Sequence, residues 1–516
     1  MTDRLDRAFE RLPRDYPGPG GAVAVLREGE VLARHAWGWA NAERRIPFTP
    51  RSLFRICSIT KQFTCGLVLD GFPDPSVLDA DVRARLPRLE QAAPGALHLC
   101  HNQSGLRDYW ALAMLHGAEA EDAFGEAEAA HVILGTRTLQ FAPGTRYSYA
   151  NQNFRLLADI LQTRADRDFA ELLRTAIFDR VGMADAFVAA DTRAMPDGTE
   201  GYEGSQAGGF RAAENRILWV GDAGIGASLD DMIAWERHID ATRDDPSSIY
   251  RRATAPTQFA DGAEAGYGFG LGRRSELGRQ VSGHGGALRG WRSHRLYAQT
   301  ERVSVVVLFN HMSDAHGAAV DLFAAALDED RPSRPATTAP TPEWLGAYLE
   351  PETGLSVRVE AAADSQVLVR YGHPPALLDL GADGAEGDDG TRLRSRDGEL
   401  WMDRPRENHT SRLQPCVGAP LANIVGRYRC EELDAALTVV DAGGALYGAF
   451  SGFLGQGRME LLEPIGGHLW AAACARALDH TPPGDWTLAF AGDGKGPPES
   501  VEVGCWLARG LTFARA

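Results

Sequence analysis

Ser58-Ile59-Thr60-Lys61 sets a hydroxyl and an amine three residues apart, which on a helix is the same face and about one turn of separation. A serine hydroxyl becomes a useful nucleophile only when a base takes its proton. A lysine can act as that base once burial or a neighbouring cation brings its pKa from about 10.4 toward neutrality. A helix N-terminus at this point would favour the negative charge that develops on the oxygen. The chemistry such a pair performs is acyl transfer through an ester on the serine. In 516 residues the spacing also arises by chance, and a solvated lysine on a surface helix is the ordinary case. The pair therefore takes its meaning from what accompanies it.

Composition narrows the options. Lysine and arginine number 53 against 70 aspartates and glutamates, a net charge of −17. That argues against nucleic acid or an anionic membrane as partner. The first residues mix acids and arginines without the apolar core of a secretory signal. No run approaches the roughly 18 apolar residues that a membrane span needs. The seven cysteines, Cys57, Cys65, Cys100, Cys416, Cys430, Cys474 and Cys505, are odd in number, scattered and never Cys-x-x-Cys. This fits free thiols in a reducing compartment, so a cytoplasmic location is expected. His98 with His101, and His311 with His316, lie close together. Neither pair has acidic or cysteine partners at a recognised ligand spacing, so no metal and no cofactor are expected.

The elements that must position the pair can be read in outline. Leu5, Phe9 and Leu12 predict a short amphipathic helix within residues 1–17. Residues 22–26 and 31–35 read as two strands around Arg27-Glu28-Gly29-Glu30. Residues 154–180 read as one long helical stretch, and two strands return at about 294–299 and 303–309 before a helix at 314–328. Strands at both ends with helices between predict an antiparallel sheet flanked by helices. At 331–342 the sequence becomes RPSRPATTAPTP, a linker and a domain boundary. Beyond it lies an internal repeat. Leu345-Gly346-Ala347-Tyr348 returns as Val425-Gly426-Arg427-Tyr428, and Gly398-Glu399-Leu400-Trp401 returns as Gly467-His468-Leu469-Trp470. Two copies of one β unit, over 331–418 and 419–516, are each long enough for a small antiparallel barrel. The second copy carries extra loop, including residues 479–486 and the glycine-rich 491–498, and such loops on a rigid barrel often serve function.

Across residues 1–330 a series of segments resembles, in order, the serine β-lactamase and penicillin-binding-protein superfamily, nearest to class C β-lactamases and their esterase and peptidase relatives. Ser58-Ile59-Thr60-Lys61 is similar to the nucleophile motif, and Leu78 to Val82 with Leu86-Pro87 to the stretch after it. His101-Asn102-Gln103-Ser104-Gly105-Leu106, the segment from Phe141 through Tyr149-Ala150-Asn151, Gly224 to Ser228, Tyr267-Gly268-Phe269-Gly270 and Ser282-Gly283-His284-Gly285-Gly286 continue the series. The resemblance implies an α-helical subdomain inserted into an α/β domain, with the site between them. It assigns Ser58 as nucleophile and Lys61 with Tyr149 as the proton acceptor, which of the two being left open. Asn151 would position Lys61 and donate to a substrate carbonyl, and the backbone N–H groups of Ser58 and Ala287 would hold the oxyanion.

His284 departs from the Lys-Thr-Gly that the lactamases and carboxypeptidases usually carry at this place. A neutral imidazole anchors a carboxylate poorly but hydrogen-bonds a tyrosine well. His-Gly with two following barrels resembles the D-stereospecific aminopeptidases. That implies release of an N-terminal D-residue from a small peptide or amide with a free amine, and a homodimer. An esterase or β-lactamase of the same fold is the alternative. A non-catalytic binding module is disfavoured because Ser58, Lys61 and Tyr149 are all present. The first domain offers no evident acid for a substrate ammonium, so one is expected from the loop at 479–486, at Asp485 or Asp479.

Overall fold

The computed structural model describes residues 3–331, 342–363, 365–372, 374–479, 481–492 and 496–516. The proline-rich stretch read as a linker lies, apart from its two end residues, outside the described residues, as does part of the glycine-rich 491–498. None of the described helices is long and apolar enough to cross a membrane.

The amphipathic helix forms as α1 (Asp3–Asp15) and turns Leu5, Phe9 and Leu12 onto a sheet. The chain then makes the hairpin β1 (Gly20–Arg27) and β2 (Glu30–Asn41). Next come the helix of the serine motif, α2 (Thr60–Gly71), then α3 (Asn151–Ala165) and α4 (Leu229–Ala241). Four consecutive strands follow: β3 (Leu271–Glu276), β4 (Arg279–Leu288), β5 (Trp291–Ala298) and β6 (Val303–Phe309). The closing helix is α5 (Ala315–Ala326). The six strands named belong to one eight-stranded sheet in which β6 pairs antiparallel with β1, Val23 opposite Val307. The N-terminal hairpin thus completes a sheet built mainly from the C-terminal end of the domain, and the helices between fill one side of it.

Both faces of β1 are buried, so its residues read Gly-Gly-Ala-Val-Ala-Val-Leu without polar alternation. One face packs Val23 and Val25 against α1 and the alanine-rich α5. The other packs Ala22, Ala24 and Leu26 into the helical layer. Each large side chain so buried contributes about 1.5–3 kcal/mol. α4 is held to the sheet by Arg295 of β5, whose Nε donates to Glu236 at 2.6 Å with both side chains fully buried. The helical stretch expected over 154–180 is not continuous. It breaks at Asp166, which takes the left-handed conformation, and resumes as the short helix Phe169–Leu173. An aspartate tolerates that conformation where most residues do not.

Two closed antiparallel barrels follow. The first runs from Gly346–Glu350 to His409–Pro415 through eight strands. The second runs from Gly426–Cys430 to Ala508–Arg515 and closes through pairing of Ala435–Ala442 with Ala445–Gly452. The repeated tyrosine does the same task in each copy. Tyr348 donates to the Trp344 carbonyl at 2.7 Å, and Tyr428 to the Ile424 carbonyl at 2.8 Å.

The barrels are docked onto the helical layer by polar contacts that side chains alone do not reveal. Arg107 is buried, and its guanidinium donates to the carbonyls of Arg509 at 2.7 Å and Gly510 at 3.4 Å in the second barrel. It also donates to the Thr138 carbonyl and to Glu432, at 2.9 and 3.3 Å. Glu407 of the first barrel accepts from Trp506 and Arg509 of the second, while its carbonyl accepts from the Tyr147 N–H. Replacing Arg107 by alanine strips several buried acceptors of their donor and should cost about 3–5 kcal/mol. Thermal unfolding of Arg107→Ala would register this as a clearly lowered Tm. A Tm unmoved from wild type would show that the second barrel is held by other contacts.

Candidate active site

The serine motif is set by a tight turn rather than by the regular start of a helix. Phe54-Arg55 pairs with Gly226-Ala227, and the Ile56 N–H donates to the Ile225 carbonyl. Cys57 then adopts φ +51°, a conformation that costs a non-glycine residue free energy. Cys57–Ile59 forms a 3-10 turn and α2 begins at Thr60, whose Oγ1 accepts from the Ile225 N–H at 3.1 Å. Ser58 is partly exposed at the cleft, whereas Cys57 is fully buried with its Sγ donating to the Arg55 carbonyl. Burial pushes the Cys57 thiol up to about 12.

Lys61 has no exposure to solvent. Its Nζ donates to Ser58 Oγ at 3.0 Å, Asn151 Oδ1 at 2.8 Å and the Asp222 carbonyl at 2.8 Å. Burial brings its pKa down to about 8, against the opposing charges of Asp222 and Asp108. A neutral amine has two hydrogens and one lone pair. With the two hydrogens taken by Asn151 and the Asp222 carbonyl, the lone pair faces Ser58. The orientation of Asn151 is itself fixed. Its backbone N–H and Nδ2 both donate to Asp108 Oδ2, at 2.7 and 2.9 Å, which turns Oδ1 toward Lys61. One Asn151 amide hydrogen is thereby committed to Asp108.

Tyr149 lines the cleft with Ser58 and lies under Lys61, whose Nζ is 4.9 Å from the ring centroid. Burial holds its hydroxyl protonated, far above the usual tyrosine range. The expectation that His284 would bond this tyrosine is not met. His284 Nε2 accepts from Tyr267 at 3.0 Å, and its ring centroid is 6.2 Å from that of Tyr149. Its Nδ1–H donates to the Gly285 carbonyl, and burial with the Lys61 charge lowers the imidazole to about 3. His284 is thus neutral and supplies no positive charge to Tyr149.

β4 forms the opposite wall. β3 pairs with it only from Arg279 to Gly283, so among the described residues its outer edge from His284 to Leu288 has no strand beside it. Ala287 lies on this free edge and lines the cleft. Gly286 is required by contact: a Cβ there would stand 2.1 Å from Ser293 Oγ and 2.4 Å from the Ile56 carbonyl. The strand is in this way pressed against the nucleophile turn. The cleft has a volume of about 370 Å³, room for a short peptide.

The two acids expected from the second barrel part company. Asp479 lines the cleft with Ser58 and Tyr149, is buried, and accepts from the Thr481 N–H at 3.0 Å. Burial and the Asp108 charge hold its carboxyl far above the usual range, against Lys61. Asp485 points instead into the junction between the barrels, ion-paired to Arg358 of the first. It sits one residue before the strand Trp486–Ala491, and its guanidinium partner fixes it away from the cleft. Sequence reasoning missed Asp108, Asp222, Trp506 and Leu507. Trp506 and Leu507 come from a turn of the second barrel, line the cleft, and lie about 450 residues from Ser58. Asp108 stands two residues beyond the matched Ser104-Gly105-Leu106 and caps the helix Tyr109–Leu115, a signal that was available.

Fold and cleft are those of a hydrolase of β-lactamase type, and the β-lactamase family model matches residues 5–329. The penicillin-binding protein homologue of Pyrococcus abyssi, described as octameric, superposes with TM-score 0.54 at 20% identity, over 80% of this chain and 100% of that one. A D-amino acid amidase from Ochrobactrum anthropi SV3 superposes with TM-score 0.52 at 19% identity, over 64% and 99%. A second family model, D-aminopeptidase domain B, matches residues 337–514. The chain is 59% identical over 524 residues to a D-aminopeptidase of Gluconobacter oxydans, covering 100% of this chain and 99% of the relative. It is 44% identical to one of Brucella canis, over 99% and 98%. The chain belongs to the D-aminopeptidase family.

Because the Cys57 thiol is buried and raised, it should resist alkylation while the fold is intact. Iodoacetamide labelling of the native protein at neutral pH, read by peptide mass spectrometry, should leave Cys57 unmodified. Rapid labelling of Cys57 would show that the turn before Ser58 opens.

Proposed function

We propose that this chain is a serine D-aminopeptidase that releases an N-terminal D-residue from a short peptide, amide or ester through an acyl-enzyme on Ser58. The observation that carries the reading is the placement of buried Lys61, whose Nζ stands 3.0 Å from Ser58 Oγ while Asn151 Oδ1 and the Asp222 carbonyl accept its other hydrogens, so that loss of one proton leaves a lone pair toward Ser58. Neutral Lys61 takes the Ser58 proton as Oγ attacks the scissile carbonyl. The backbone N–H groups of Ser58 and Ala287 hold the oxyanion. Tyr149, protonated and in the same cleft as Ser58, gives its proton to the leaving amine and is refilled from Lys61. The C–N bond breaks and the ester remains. Water then attacks the ester, gives its proton to the same Lys61–Tyr149 pair, and frees the D-amino acid and Ser58. The D-preference is carried over from the names of the relatives. A reducing, cytoplasmic setting agrees with the seven free cysteines, and a homodimer is proposed from family likeness.

Asp479 explains why the substrate should carry a free amine. It is a buried acid without an ion pair among the described residues, its pKa raised by burial, and a substrate ammonium would draw it to the carboxylate form and pair with it. Removing one partner of such a pair costs about 2–5 kcal/mol. Asp479→Asn should therefore raise KM at least tenfold for D-alanine p-nitroanilide. It should barely alter the slow reaction of the N-acetylated compound. Equal effects on both substrates would exclude Asp479 from recognising the ammonium.

The pH profile tests the base. Lys61 must be neutral to accept the proton, and its pKa lies at about 8. For D-alanine p-nitroanilide, kcat/KM should be low at pH 6 and rise through an apparent pKa near 8. A profile flat from pH 6 to 9 would remove Lys61 from this role. Comparison of the D-Ala, L-Ala and Gly p-nitroanilides with p-nitrophenyl acetate and a cephalosporin separates the aminopeptidase from an esterase or lactamase.

A further inference from the structure

Three arginines follow one another along the hairpin of β4 and β5, and two of them are neutralised. Arg289 pairs with Glu121 and Glu203, and Arg295 with Glu236. Arg292, between them, forms no ion pair among the described residues. Its Nη1 donates to the backbone carbonyls of Leu288 and Trp291, at 3.2 and 2.9 Å, which folds the side chain over its own turn. Arg292 nonetheless is one of the residues lining the same cleft as Ser58. Leaving a largely buried cation without a counter-ion is costly, and burial lowers its pKa to about 10.

We propose that Arg292 anchors the free carboxylate of the leaving residue, so that dipeptides, rather than amino-acid amides or long chains, are the best substrates of this site. The proposal rests on the aminopeptidase reading above. The placement supports it in three ways. First, Arg292 stands directly across the strand pair from Ala287. A residue opposite the proposed oxyanion donor has its Cβ within about 5.5 Å of that residue's, and a long side chain from there reaches the groups just beyond the scissile bond. Second, Asp479 and Arg292 line the same cleft, yet the two form no ion pair. A dipeptide carries an ammonium and a carboxylate at most about 7 Å apart. An acid and an arginine that line one cleft without forming an ion pair suit those two ends, with Ser58 in the same cleft. Third, the competing acids near Arg292 are occupied. Glu203 is held by Arg289 and Arg476, and Asp314 caps α5 by accepting from the His316 N–H. A guanidinium is suited to this task because its planar fork meets a carboxylate through two hydrogen bonds.

The test compares D-alanyl-glycine with D-alanyl-glycinamide, which differ only in the terminal charge, using the full-length wild type, Arg292→Met and Arg292→Lys. Ser58→Ala supplies the blank. In the wild type kcat/KM should favour the free acid by tenfold or more. In Arg292→Met that ratio should collapse to within twofold through a raised KM for the acid. Arg292→Lys, which keeps the charge but loses the fork, should restore part of it. A wild type that treats acid and amide alike would overturn the proposal. So would an Arg292→Met variant that slows both in proportion, since that is structural damage. If the wild type cleaves D-alanine p-nitroanilide but does not favour the acid, only the anchor fails. If it cleaves none of the three, the aminopeptidase reading fails and takes the anchor with it.

Discussion

The buried ammonium of Lys61 constrains everything around it. A lysine with no solvent contact must spend its hydrogens on protein acceptors, and the three it finds come from three separate segments: Ser58, Asn151 and the Asp222 carbonyl. Those segments can converge only if α2 and α3 pack closely and the loop before Ile225 folds over them. Asp108 extends the constraint outward. It fixes Asn151 from behind, while its own backbone N–H donates to the Leu507 carbonyl at 3.0 Å. The geometry at Lys61 is therefore tied, through two residues, to the position of the second barrel.

That link gives the barrels a physical part in the cleft. The catalytic-domain fold alone provides the β4 edge, α2 and α3, leaving the mouth between them open. Trp506, Leu507, Asp479 and Thr481 come from the second barrel and close one side of it. Among the described residues, none of the first barrel lines the cleft. It braces the second through Glu407, which holds both Trp506 and Arg509. On the proposed reading, the fold shared with β-lactamases supplies the acyl-transfer chemistry, and the added barrel narrows what may enter.

Electrostatics separate the groups that serve structure from those facing the cleft. The Arg295–Glu236 and Arg404–Glu350 pairs are buried and mutually satisfied, with bonds of 2.6 and 2.7 Å. Such pairs specify where elements sit more than they add stability. At the cleft the pattern reverses. Lys61 is lowered, Asp479 is raised and Arg292 is lowered, all chiefly by burial and without close ionic partners. Perturbed groups gathered in one cleft mark it as a place where charge is expected to arrive.

The sequence by itself determined the local elements and the order of the motifs. The spacing of Leu5, Phe9 and Leu12, the apolar runs of β1 and β6, and the duplicated Gly-x-Tyr segments each express a periodicity that survives folding unchanged. The motifs at Ser58, Tyr149 and His284 were legible because each is a short contiguous signature. Only the tertiary structure decided contacts between residues far apart in the chain. It gave the His284 hydrogen bond to Tyr267 rather than Tyr149, since that choice depends on how β4 sits against residues 267–270. It separated Asp479 from Asp485, six residues apart and chemically identical, because Arg358 of the other barrel captures one of them. It also lowered Lys61 and kept Tyr149 protonated. A pKa reflects the burial and charges around a group, and neither is a property of its neighbours in sequence.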